Sequence, residues 1–508
     1  MRYLIGIDVG TSGTKSVLMS QDGQVVKSCT CEYPMYQPKN GWAEQNPEDW
    51  WHAVVQTLRG ISKNVDGIEG IGLSGQMHGL VMLDETGQVL RPAILWCDQR
   101  TAKQCETITR LVGKQELISL TANPALPGFT AAKIMWVKEH EPECYKQCRH
   151  ILLPKDYIRY RLTGVFATDV SDAGGMQLLH IQKRQWSQEV LSKLNIDASL
   201  LAKVYESPEI TGYLTQSASE ATGLSRGIPV VAGAGDNAAS AVGLGAVREG
   251  TAFTTIGTSG VVYAHTDQMK IDPGGRVHTF CCAVPGKWHV MGVTQSAGLS
   301  LQWFRNQFCQ QEIEQAKKQG LDPYVLMDQE AEQSPVGSNG LYYLPYLMGE
   351  RTPHLDSNAR GVFFGLSAMH TKKDLIRAVL EGVAFSLRDC LELLQEMNVC
   401  PNQMLVCGGG ANSPLWRSIF ADVFSMPLTA ASPQQGAALG AAILAGVGTD
   451  RYSSVEKACD MICQAGTVTN CLHSEQYRPH YQMYQSLYPA LKHVFRQAAV
   501  LTNDAGSA

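Results

Sequence analysis

The tetrapeptide Gly10-Thr11-Ser12-Gly13 returns as Gly257-Thr258-Ser259-Gly260, 247 residues later in a chain of 508. In both copies an apolar run ends at the turn, at residues 3–8 and 252–256, and a second run begins after it, at 16–19 and 261–265. Runs of this kind, broken by a glycine-rich turn, read as the strands of a hairpin. More short β-rich segments follow, at 25–31 in the first copy and at 277–284 and 289–293 in the second. Each half then turns helical. Asn46-Pro47-Glu48-Asp49 supplies an N-cap, a proline suited to the first turn and acidic residues at the positive end of the helix dipole. The second half enters its helix near Ser296. A strand–turn–strand–helix pattern repeated about half a chain apart predicts a duplicated α/β unit whose copies face each other across a cleft. The glycine-rich stretch 243–250 is the break, giving domains 1–246 and 247–508.

Composition limits what such a cleft can bind. With 44% hydrophobic and 18% charged residues the chain is ordinary globular protein. Its net charge of −5 provides no basic field for nucleic acid or an anionic membrane. The 15 cysteines contain no CxxC pair, so free buried thiols in a reducing cytoplasm fit them better than zinc or a disulfide framework. Asp8 interrupts the opening apolar stretch before it reaches signal-peptide length. The uncharged run 436–448 is too short to span a membrane and reads as a buried helix packed through its glycines and alanines. The polar tail after Leu501 is expected to fray.

Glycine turns let backbone N–H groups approach phosphate oxygens, and Thr and Ser hydroxyls add donors. Two such turns on opposing halves, residues 10–14 and 257–259, would hold a polyphosphate from both sides; the alternative is two plain hairpin turns. Asp8 before the first turn can hold hydrated magnesium, and Lys15 after it places a cation near phosphate. A third glycine cluster, Gly408-Gly409-Gly410-Ala411-Asn412, lies between a strand at 403–406 and a helix opening at Pro414, an arrangement that admits a nucleotide or serves as a tight βα connection. The strand 228–232 runs through Gly233-Ala234-Gly235 into a helix starting at Asp236, a carboxylate that is either a general base toward a hydroxyl or a plain N-cap. Gln76-Met77-His78-Gly79 leaves the end of the strand 70–73 with polar groups suited to a polyol and an apolar cover in Met77. Asp98 with Arg100, and Glu350-Arg351-Thr352-Pro353-His354, each read as structural ion pairs more readily than as cleft residues.

Two longer segments then carry a family resemblance. Residues 128–140 (GFTAAKIMWVKEH) resemble the first signature of the FGGY carbohydrate kinases. Gly361-Val362-Phe363-Phe364-Gly365-Leu366, with the helix ending Ala378-Val379-Leu380-Glu381, is similar to the second. That family belongs to the actin-like ATPases built from two duplicated ribonuclease-H-like domains, and the resemblance runs from residue 3 to about 490. Ser74-Gly75-Gln76-Met77-His78-Gly79, Leu153-Pro154-Lys155-Asp156-Tyr157 and Gly349-Glu350-Arg351-Thr352-Pro353 are most similar to members acting on D-xylulose. The resemblance implies transfer of a phosphoryl group from ATP to D-xylulose, with Asp236 as catalytic base and Gln76, Met77, His78, Asp236 and Asn237 at the sugar. It also implies Gly10, Thr11, Ser12, Gly13, Thr14, Lys15, Gly257, Thr258 and Ser259 at the phosphates, Gly408, Gly409, Gly410 and Asn412 at the adenosine, and Asp8 at Mg2+. A cytoplasmic enzyme is expected, with a homodimer left open. Gln434-Gln435 departs from the family, where an acidic residue is common. Two other readings remain: a kinase for L-ribulose or gluconate, and an actin-like ATPase acting on a protein.

Overall fold

The computed structural model describes residues 2–432, 436–464 and 466–504, the last three without their side chains. Gln434 and Gln435 lie outside the described residues. The first half opens with β1 (Tyr3–Val9), β2 (Gly13–Ser20) and β3 (Val25–Glu32), an antiparallel meander. Helix α1 (Pro47–Ser62) follows, its first turn capped by Asn46 Oδ1, which accepts from Glu48 N–H at 3.2 Å. It buries Trp50, Val54, Leu58 and Ile61, one helical stripe, against the sheet. β4 (Ile68–Gly75) then lies parallel to β1, and β5 (Ile210–Tyr213), β6 (Pro229–Val231) and the two-residue β7 (Ala234–Gly235) complete the sheet in the order β5-β6-β4-β1-β2-β3, with β7 on β4.

The second half repeats the plan. β8 (Thr251–Ile256) pairs with β9 (Gly260–Thr266), β9 with β11 (Trp288–Thr294), and β11 with β10 (His278–Cys281). β12 (Gln403–Cys407) lies parallel to β8, and β13 (Leu428–Ala430) and β14 (Val468–Thr469) extend the far side. Each sheet therefore carries the same core, a meander with a parallel strand laid beside its first strand, and each Gly-Thr-Ser-Gly turn joins the first two strands. The expected α/β duplication is present.

The division of the sequence at 246/247 does not follow the packing throughout. The helix expected at 436–448 is present at Ala437–Gly448, but it leaves the second half. Its Ala438, Leu439 and Ala442 share one core with Leu4, Val17 and Met19 of the first sheet and with Ala238 and Ala239 of the helix Asp236–Leu244. Small residues make this possible: a Cβ on Gly6 would lie 1.8 Å from the carbonyl oxygen of Ala438.

Three histidines in the second sheet are buried as neutral rings. His289 stacks on Tyr263 with ring centroids 4.4 Å apart. Burial lowers His265 to about 4, and His278 and His289 to about 3. Because these values lie below that of an unfolded histidine, the unfolded chain takes up protons first as the pH falls. Stability is lost from about pH 6.5 downward, at up to ~1.4 kcal/mol per histidine per pH unit. The urea midpoint is expected to fall between pH 7.5 and 5.5, and to fall less in His289→Gln; an identical fall in that variant would place the acid sensitivity elsewhere. Among the described residues no helix is long and apolar enough to cross a membrane.

Candidate active site

The strand register brings the two carboxylates together. Asp8 on β1 lies beside Ser74 on β4, and Ser74 lies beside Ala234 on β7, two residues before Asp236. Ser74 Oγ donates to Asp8 Oδ1 at 2.9 Å. Asp236 opens the helix Asp236–Leu244, whose preceding residue, Gly235, has no side chain to cap it. The N–H of Asn237 and its side-chain amide both donate to Asp236 Oδ1, at 2.7 and 3.0 Å, so both donors converge on one carboxylate oxygen. Burial, followed by the charge of Asp8, pushes Asp236 up to about 7; the two Asn237 donors oppose the shift. Burial also raises Asp8, against the pull of Ser74 and Lys15. A carboxylate held near neutrality is suited to accept a proton from a hydroxyl.

Met77 touches the loop that carries this carboxylate, and His78 is the next residue. A Cβ on Gly235 would be 2.9 Å from Met77 Cγ, so the loop and the methionine are in direct contact. His78 Nδ1 lies 2.8 Å from the carbonyl oxygen of Gly175. That oxygen can only accept, so Nδ1 carries the proton and Nε2 offers a lone pair. Burial and then Lys133 hold His78 well below the usual range, so the ring is neutral. Its backbone takes a positive φ of 68°, with its carbonyl accepting from Thr130 Oγ at 3.0 Å and Lys133 Nζ at 2.8 Å. Phe129 and, from the second half, Phe280 wall the ring. His78→Ala is therefore expected to weaken sugar binding by about 1–3 kcal/mol, the cost of a lost buried hydrogen bond, with the ATP affinity held. Calorimetric titration of both ligands checks this, and an equal loss for both would mark the histidine as structural.

Gln76, expected at the sugar, is buried and bonded to the first turn. Its amide donates to Gln45 Oε1 at 2.9 Å, and its oxygen accepts from Thr11 Oγ at 3.3 Å. Gln45 in turn donates to the Thr11 carbonyl at 2.7 Å, Trp96 Nε1 donates to Thr11 Oγ at 3.0 Å, and Tyr33 Oη donates to the Gly10 carbonyl at 2.6 Å. The first turn is thus held from four sides, with Ser12 exposed at its tip. Gln45 and Tyr33 carry no motif signal in the sequence. Asp98 proves structural: it holds Ala43 N–H and pairs with Arg100, whose guanidinium stacks 3.6 Å from the Trp42 ring. Glu350 is buried, accepting the N–H groups of Gln295 and Arg351.

On the second half a cavity of about 820 Å³ brings Gly257 and Thr258 together with Gly409, Gly410 and Asn412. The second turn abuts the helix Gly298–Phe308, whose first residue donates its N–H to the Gly257 carbonyl at 2.6 Å. A Cβ on Gly409 would meet nothing within 4 Å, whereas one on Gly410 would strike Ile256 and Trp416. The far wall comes from Tyr324, Val325, Asp328 and Gln329 on the helix Pro323–Ala331, and from Gln302; none of these stood out in the sequence. An apolar slot with glycine backbone at one end and polar groups at the other suits a nucleoside with its phosphates leaving toward the turn. Residues 10–15, Ser259 and Gly408 do not line this cavity.

Comparison with known proteins agrees with the geometry. Residues 3–243 match the N-terminal domain, and 252–449 the C-terminal domain, of the FGGY family of carbohydrate kinases. The chain is similar to the xylulose kinase of Bacillus subtilis (strain 168), with 40% identity over 97% of this chain and 98% of that protein. Similarity to the gluconokinase of the same organism is lower, 33% over 91% of this chain and 90% of that one. Among solved structures, the ligand-bound xylulose kinase of Lactobacillus acidophilus superimposes with a TM-score of 0.91 at 29% identity, covering 98% of this chain and 100% of that one.

Proposed function

The chain belongs to the FGGY family of carbohydrate kinases, and we propose that it transfers the γ-phosphoryl group of ATP to the 5-hydroxyl of D-xylulose in the cytoplasm. The observation that carries the reading is Asp236, half-buried, raised by the charge of Asp8, and carried on a loop whose Gly235 touches Met77. Asp236 accepts the hydroxyl proton while the sugar oxygen bonds to the γ-phosphorus and the bond to the β,γ-bridging oxygen breaks, giving the sugar phosphate and ADP. His78 Nε2 accepts a hydrogen bond from a neighbouring sugar hydroxyl, and Met77 covers the apolar edge of the sugar. Gly257 and Thr258 receive the phosphates, with the adenosine in the cavity toward Gly409, Gly410 and Asn412.

Asp8 presents carboxylate oxygens beside Asp236, and its negative charge raises that neighbour, an environment that fits a hard divalent cation such as Mg2+ at Asp8. When bound there, the ion supplies neutralisation of the triphosphate charge. Because the base lies on the first half and the nucleotide cavity on the second, transfer needs the halves to close. Closure also excludes the water that would otherwise take the phosphoryl group.

A coupled ADP-release assay across ketopentoses, gluconate and polyols tests the reading. D-xylulose is expected to give the highest kcat/KM. A preference for gluconate or L-ribulose would overturn the substrate, and ATP turnover indifferent to any sugar would overturn the kinase reading.

A further inference from the structure

Directly beneath the Asp236 loop lies a cluster of ionisable side chains that the reaction as described does not use. Lys155 and Arg159, on the helix Pro154–Thr163, and Asp156, Asp169 and Asp172 are all fully buried. Lys155 Nζ lies 2.6 Å from Asp156, 2.8 Å from Asp169 and 3.3 Å from Asp172, and Arg159 pairs with Asp156 at 2.8 Å. Burying so many charges is costly, and a buried pair is often worth less than apolar packing of the same volume. Stability alone is therefore a poor account of the cluster.

Two of its outward hydrogen-bond paths lead to the Asp236 loop. Asp169 Oδ2 accepts from the N–H and Oγ of Ser171, at 2.8 and 2.6 Å, and from Ser207 Oγ at 3.1 Å. Ser171 Oγ, its hydrogen directed to Asp169, then accepts the N–H of Gly235 at 3.0 Å, one residue before Asp236. Arg159 Nη1 donates to the carbonyl of Ala232 at 2.8 Å, gripping the other end of the same loop. The segment that carries Asp169 and Ser171 continues to Gly175, whose carbonyl takes the Nδ1 proton of His78. One buried anchor thus reaches both the base and the sugar-side histidine.

We propose that Lys155, Asp169 and Ser171 form a positioning relay that fixes the Gly235 peptide, and through it aims the Asp236 carboxylate at the sugar hydroxyl. The relay rests on the reading of Asp236 as the base. Its direction is set by chemistry: the Lys155 ammonium holds one oxygen of Asp169 as an ion pair, the other oxygen accepts from Ser171, and the serine hydroxyl passes the polarity on by donating inward and accepting from Gly235. Misplacement of a reacting group by about 1 Å can cost 10²-fold in rate, so a small loss of anchoring is readable in kcat.

Ser171→Ala tests it, with Ser171→Thr as the conservative variant, Ser207→Ala as a control and Asp236→Asn as the reference. Ser207→Ala removes another donor to the same Asp169 oxygen without touching Gly235. The expected result is a kcat lowered roughly 10- to 100-fold in Ser171→Ala, with KM for ATP unchanged, most of the rate restored in Ser171→Thr, and kcat held in Ser207→Ala. Amide exchange of the peptide 232–237 should quicken in Ser171→Ala alone. A Ser171→Ala enzyme with parental kcat, or equal kcat losses in Ser171→Ala and Ser207→Ala, overturns the relay while leaving Asp236 as base, provided that Asp236→Asn is inactive. An active Asp236→Asn removes both.

Discussion

Asp236→Asn is expected to lower kcat with D-xylulose by about 10²–10⁴-fold, the usual contribution of a positioned base. The amide is nearly isosteric, keeps the donors of Asn237 partly served and cannot take the hydroxyl proton. MgATP binding should survive, because the cavity proposed for the nucleotide is built from the other half of the molecule. The variant should also be no less stable than the parent. In the folded chain burial and the charge of Asp8 hold Asp236 up to about 7, so its ionised form is disfavoured at neutral pH, and removing that charge relieves the strain. Single-turnover phosphorylation, ATP titration and thermal melting together check the claim. Turnover within about threefold of the parent would remove Asp236 from the proton path.

How much of this was open to inspection in the sequence depended on the range of the interactions. The two turns were legible because a Gly-Thr-Ser-Gly hairpin is specified by residues next to one another, and the repeat doubled the signal. The helix starting at Asp236 was legible for the same reason, glycines giving way to small apolar residues within a few positions. Gln76 shows the limit. Its position at the end of β4 (Ile68–Gly75) was clear, but its amide is held by Gln45 and Thr11, 31 and 65 residues away, and no local pattern announces those bonds. The wall of the cavity proposed for the nucleotide was hidden likewise: Tyr324 and Asp328 sit on a helix whose polar face reads from sequence as plain surface. The Lys155 motif was visible as a likeness to relatives, but its meaning appears only once the charges are seen buried beneath Gly235.

The return of residues 436–464 to the first half was also illegible, and it carries the second large expectation. The helix Ala437–Gly448 is pressed between the first sheet and the helix that starts at Asp236. On one side a Cβ at Gly72 would lie 1.8 Å from the carbonyl oxygen of Ala441; on the other, a Cβ at Gly440 would lie 1.9 Å from that of Ala239. Both obstacles are backbone atoms within regular elements and cannot rotate away. Gly72→Ala must therefore move the helix off the sheet, an overpacking cost of about 3 kcal/mol or more. At roughly 2–4 °C per kcal/mol the melting temperature should fall by about 6–12 °C. Gly70 is a matched control two residues earlier on the same strand and face: a Cβ there meets only side-chain atoms, Thr449 Cγ at 3.0 Å, then Leu4 and Ala445. Gly70→Ala should thus melt within a few degrees of the parent. Because the displaced helix also seats the one bearing Asp236, Gly72→Ala should lose sugar phosphorylation even at temperatures where it stays folded, and Gly70→Ala should not. Equal melting temperatures and equal rates in the two variants would show that the seam between helix and sheet can yield, and that the base is held from beneath, through Gly235, without help from this helix.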